Sequence, residues 1–118
     1  MLRASLILLS ASTAAFAHDP DTGPNGGKRV DAGPYRVELA PDGTAVNVYI
    51  TFDDDSAVDT AAMSGTAMLV IDGKPVRVTL APAAPGVLSG DAGAAVPSDV
   101  KGAVQVVGAD GAVEQAKF

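Results

Sequence analysis

Apolar and polar positions alternate with a period of two over much of this chain. Tyr35, Val37 and Leu39 fall on one side of a repeat whose other side is Arg36 and Glu38, and Val46, Val48, Ile50 and Phe52 alternate with Asn47, Tyr49 and Thr51. Successive side chains of a strand point to opposite faces, so each run predicts a strand with one apolar and one wet face. Val76, Val78 and Leu80 alternate with Arg77 and Thr79 in the same way, and Val104 and Val106 flank Gln105. The stretch 66–71 departs from the pattern, with Ala67, Met68, Leu69, Val70 and Ile71 in succession. An unbroken run of that length predicts a central strand covered on both faces.

The connections carry matching signals. Asp42-Gly43, Asp72-Gly73 and Asp110-Gly111 each stand between two such runs, and glycine supplies the positive φ that a tight hairpin turn needs. Three hairpins follow: 35–40 with 45–52, 66–71 with 75–80, and 103–107 with 112–117. Between them, 53–65 reads as a crossover in which Ala61-Ala62-Met63 forms a turn of helix, and 82–101 contains Val87-Leu88 as a short strand. About seven short strands separated by turn signals predict an all-β domain over 29–118, a small immunoglobulin-like sandwich. A small barrel is the competing architecture; the length of the 53–65 connection, enough to cross between sheets, favours the sandwich. Residues 18–28 have no apolar periodicity and are expected to form a flexible arm.

The amino terminus lies outside this pattern. Met1-Leu2-Arg3 is a short basic start, 4–16 is apolar or small and contains Leu6-Ile7-Leu8-Leu9, and Ala15-Phe16-Ala17 has the form of a cleavage site. These are the parts of a secretory signal peptide over 1–17. The apolar run is too short for a spanning helix, which needs ~20 residues. The expected product is a periplasmic or secreted chain that begins at His18 and is not stably inserted in a membrane.

Composition narrows the chemistry. With 118 residues the chain has room for one domain, and Val, stiff at χ1 and at home in pleated sheet, is its commonest large apolar residue. There is no Cys, so disulfides, thiolate metal sites and cysteine nucleophiles are excluded. The net charge of −6, with 8 Lys and Arg against 14 Asp and Glu, argues against nucleic acid, whose phosphates require clustered cations. The single His leaves no triad for Ser56, Ser64, Ser89 or Ser98. A non-enzymatic protein is the expectation.

Four places merit a chemical reading. After cleavage His18 becomes the terminal residue, and its α-amine and imidazole Nδ1 form a partial chelate for Cu(II). It is the one metal candidate, a weak copper ligand set with no second imidazole to complete it, and an idle exposed terminal His is the competing reading. Asp53-Asp54-Asp55 with Asp59 offers carboxylates at a strand end, but without the glycine and closing Glu of a calcium loop it reads as a solvated acidic tip. Gly26-Gly27 before Lys28 lacks the spacing of a phosphate loop. Met63 and Met68 read as core or loop residues rather than soft ligands. No cofactor is implied beyond weak copper at His18.

The segment 24–39, Pro-Asn-Gly-Gly-Lys-Arg-Val-Asp-Ala-Gly-Pro-Tyr-Arg-Val-Glu-Leu, resembles a small family of bacterial periplasmic proteins. In that family a segment P-H-G-G is followed after a few residues by G-x-Y-H-V-E-L, and its members are associated with heavy-metal and copper efflux systems and their periplasmic adaptor subunits. The likeness continues more loosely through Asp72-Gly73-Lys74, 76–82, Asp110-Gly111 and Ala116-Lys117-Phe118. It implies a periplasmic β domain accessory to metal homeostasis, with an efflux-system or other periplasmic protein as partner. Where the family pattern carries its two His, this chain has Asn25 and Arg36. Asn is a weak metal ligand and Arg is none. A general periplasmic interaction domain with no metal role, pairing through its strand edges, is the alternative.

Overall fold

The computed structural model describes residues 21–118, which contain nine strands and no helix. The strands are β1 (Asp21–Thr22), β2 (Lys28–Ala32), β3 (Tyr35–Asp42), β4 (Ala45–Phe52), β5 (Ser64–Ile71), β6 (Lys74–Ala84), β7 (Val87–Asp91), β8 (Lys101–Val107) and β9 (Val113–Lys117). The expected signal peptide over 1–17 and the metal candidate His18 lie outside the described residues. All pairings are antiparallel, in the order β1-β2-β3-β4-β7-β6-β5-β8-β9.

The all-β reading holds and so do the three hairpins. Val37 pairs with Ile50, Leu69 with Val76 and Val104 with Ala116. At the β5–β6 turn both Asp72 (φ 52°) and Gly73 (φ 74°) have positive φ, as a two-residue hairpin of matched twist demands.

The seven-strand immunoglobulin-like sandwich does not appear. β6 is the reason. Its 11 residues are shared: 74–80 pair with β5, while Ala81, Pro82 and Ala84 pair with β7 across a bulge. One strand therefore belongs to both halves, and the expected two sheets become a single curled sheet, a half-barrel. Its far sides come together, with Cα atoms of β2 and β9 within 8 Å of each other but no ladder between them. The 53–63 connection runs from β4 to β5 without helix, and 61–62 form a plain turn.

The concave side holds the core. Val37, Leu39, Val46, Val48, Ile50, Leu69, Val78, Leu80, Leu88, Val104 and Val106 are all buried there. Thr60, also buried, fixes the long connection: its hydroxyl donates to Ala84 O and accepts from Gly86 N–H, each at 3.1 Å. β5 corrects the expectation of two covered faces, because its burial alternates and leaves Met68 42% and Val70 49% exposed. A curled sheet with one core encloses only its concave side, so a run of apolar residues still turns every second one to water.

Candidate functional site

Residues 21–28, expected to be an arm, run as β1 and a turn laid over the convex side of β3. The anchor is Glu38. On alternation it belongs to the wet face of β3, yet it is 2% exposed. Its Oε2 accepts the Asn25 and Gly27 backbone N–H groups at 2.9 and 2.7 Å, and its Oε1 accepts Asn25 Nδ2 at 3.0 Å. A carboxylate desolvated in this way requires such donors. The glycines permit the approach: a Cβ at Gly23 would meet the Glu38 side chain, and one at Gly27 would meet Leu39 O. The turn is closed by the Gly23 N–H donating to Gly27 O at 2.7 Å. Proximity of Asn25 to Glu38 explains physically why the sequence segment is built as Pro-Asn-Gly-Gly followed by Val-Glu-Leu.

Beside this clamp lies an ion-pair network. Arg29 donates to both carboxylate oxygens of Asp21, at 3.2 and 3.1 Å, and to Asp55 at 3.3 Å. Arg36 reaches Asp21 at 3.3 Å, Asp55 at 3.5 Å and Asp31 at 3.7 Å. The hydrogen bond from Arg29 holds the Asp21 carboxyl below its usual value, and the same bond raises the guanidinium of Arg29. Asp55 adopts φ 66° to meet both guanidinium groups. Asp53-Asp54-Asp55 is thus more than a solvated tip: its third member fastens the loop to β2 and β3. Asp54 turns inward on its own loop and accepts from the Ser56 N–H and hydroxyl, which lowers its pKa. Asp59 accepts from Ala61 N–H at 3.0 Å.

Turn, network and loop surround a cavity of about 230 Å³, lined among others by Asn25, Arg36, Glu38, Tyr49 and Thr51. The two positions that carry His in the resembled pattern, Asn25 and Arg36, therefore open on one space. Thr51 Oγ1 is buried there without a hydrogen-bond partner. Among the described residues no group of three or more His, Cys, Asp or Glu is placed to hold a metal ion. Two guanidinium groups facing Asp21, Asp31, Asp55 and Glu38 form a self-neutralising lock whose evident work is to hold the amino-terminal strand and the 53–57 loop in place.

The opposite half of the sheet has a different chemistry. On the convex side of β5, β6, β8 and β9 the registers place Arg77, Met68, Ala103 and Lys117 in one row across the strands, with Pro75, Val70 and Lys101 in the next. Thr79, Thr66, Gln105 and Gln115 form the row on the other side. None of these positions is Asp or Glu, and no described carboxylate pairs with Arg77 or Lys117. In a chain of net charge −6 this is a basic face with an apolar middle. The sequence does not mark this face, because the unbroken apolar run 67–71 reads as a strand covered on both sides; Met63, by contrast, is buried. No protein-family model, curated protein or solved structure matches the chain.

Proposed function

We propose that this is a non-enzymatic, exported β-domain protein that works by contact with another periplasmic protein, as an accessory to metal homeostasis or efflux. The observation that carries the contact reading is the convex face of β5, β6, β8 and β9, where Met68 and Val70 stand half exposed among cations and amides. Apolar side chains side by side on a solvent-facing sheet and rimmed by polar groups are the kind of surface that partner proteins cover. The metal association rests on the likeness of segment 24–39 to the efflux-associated family. With Asn25 and Arg36 in place of its imidazoles, the accessory role is one of contact, and weak copper capture is left to His18. The alternative is a general interaction domain with no metal role.

A photo-crosslinking amino acid placed at position 70 in the producing cell tests this. An adduct containing a periplasmic adaptor subunit of a metal-efflux system, absent when the label is placed at position 47, is the expected result. A different, discrete adduct would favour the general interaction domain, and no adduct from position 70 would remove the contact reading. For His18, a copper titration of the chain with a free amino terminus should weaken on His18→Ala; equal binding by both, or by neither, ends the capture idea.

A further inference from the structure

We infer that the convex face of β5, β6, β8 and β9 receives an extended acidic segment of a partner protein, one with an apolar side chain between two carboxylates in the pattern acid-x-apolar-x-acid. The inference rests on the contact reading above and gives the partner its chemistry. Arg77, Met68, Ala103 and Lys117 occupy one row over four adjacent strands. Strands lie ~4.8 Å apart, so the two cations stand roughly 14 Å apart, with Met68 and Ala103 between them. An extended chain advances ~3.4 Å per residue, so side chains at i and i+4 on one side are also separated by roughly 14 Å, with i+2 midway. Two carboxylates at that spacing meet Arg77 and Lys117 while the residue between them packs on Met68.

Charge decides against other occupants. A second copy placed face to face would set Arg77 and Lys117 against their own like charges. The chain's own matches to the pattern, 38–42, 55–59 and 110–114, are spent: Glu38 is buried in its clamp, Asp55 is bound by Arg29 and Arg36, and Asp110 accepts from Ala112 N–H within the β8–β9 turn. An anionic membrane gains only ~1 kcal/mol per cation near its surface. Against it stand the net charge of −6 and a face whose exposed apolar groups are Met and Val without an aromatic anchor.

The test is a titration of the isotope-labelled chain, followed residue by residue by NMR, with the capped peptide Gly-Glu-Ser-Leu-Ser-Glu-Gly at low salt. Shifts confined to Met68, Arg77, Ala103, Lys117 and their neighbours are expected. Binding should weaken at least about fivefold for Arg77→Glu, for Lys117→Glu and for an isomer with its two Glu adjacent, and should be lost near 0.3 M salt, where charge pairs at this exposure are screened. Lys74→Glu, at the β5–β6 turn, is the control. Equal binding of a Gln-for-Glu peptide would overturn the acidic chemistry and leave the contact reading standing. If no peptide shifts the face while the crosslinked adduct from position 70 still forms, the pattern falls alone; if both are absent, both fall. Concentration-dependent self-association lost in Met68→Glu, or sedimentation with phosphatidylglycerol vesicles lost in Arg77→Glu, would assign the face to a second copy or to a membrane and overturn the proposal.

Discussion

Gly27 donates its backbone N–H to Glu38 at 2.7 Å, across the convex side of a strand whose pattern assigns Glu38 to water. This bond and those from Asn25 close the chain between positions eleven apart into a clamp. Glu38→Ala leaves the Asn25 and Gly27 amides without their acceptor in a covered site, a loss of about 1–3 kcal/mol. Urea unfolding should show it as a lower midpoint at unchanged slope, and hydrogen exchange at Gly27 should accelerate. Glu38→Gln keeps an acceptor and should lose less. Equal stability of Glu38→Ala and the parent would mean that water replaces the clamp at no cost.

The network predicts an acid dependence. Asp21 is held below its usual carboxyl value by the hydrogen bond from Arg29, so the unfolded chain binds its proton first as the pH falls. The stability this pair contributes is complete above the ordinary carboxylate range, near pH 4, and is lost as the pH falls through the lower folded value. In Arg29→Met the acid-side decline in stability should be shallower, and the Asp21 carboxyl signal should titrate nearer its usual position. An unchanged titration of Asp21 in Arg29→Met contradicts the assignment. The pair is exposed to solvent, and moderate salt should reduce the effect.

A second pair is repulsive where the first is attractive, and its pH dependence has the same sign in a different range. Lys28 stands beside Lys101, whose ammonium group lowers the pKa of Lys28. Here the folded state binds the proton less readily than the unfolded chain does. Stability therefore rises as the pH climbs through the lowered folded value, and the gain is complete at the unfolded lysine value near 10.4. Lys101→Gln should raise the melting temperature at neutral pH and flatten its alkaline rise. No change at either pH would show that the two side chains part freely in solution.

Two glycines separate crowding from conformation. Gly43 has φ 60° with open space around it, whereas Gly102 has φ 151° and a Cβ there would meet Met68 O and stand 2.9 Å from Leu69 Cα. Gly43→Ala should cost roughly 1 kcal/mol from its left-handed backbone alone. Gly102→Ala must push β8 away from β5 and should cost several times more, on the order of the larger single-substitution losses. Thermal melts of the two variants rank them directly.

These positions also show how far the sequence could be read. Alternation and the Asp-Gly turns located β3 with β4, β5 with β6 and β8 with β9, because each hairpin is decided by residues close in the chain. Which hairpins join is decided elsewhere, by β6 running past the end of β5 to pair with β7, and no local pattern marks a strand as shared. Burial of Glu38 was hidden for a related reason: its cover comes from a turn eleven or more residues away, while the alternation of Arg36, Glu38 and Ala40 reports only the pleat. Met68 and Val70 erred in the other direction, since an apolar run records composition but not whether a second layer exists to cover it. Asp55 was recognisable as one of three acids, but its bond to Arg29 and Arg36 depends on β2, β3 and the 53–57 loop meeting.

The shared strand also sets the order of events when the chain folds. Hairpins such as β5–β6 close over a few residues, but the junction of Val48 with Leu88 joins positions roughly 40 residues apart, and that loop must be ordered before the contact returns any energy. Closing the curl therefore waits for β7 to find both β4 and the far end of β6. Until it does, the two preformed hairpins carry unpaired edges, which makes this step both the slow one and the one most open to pairing with a neighbouring chain.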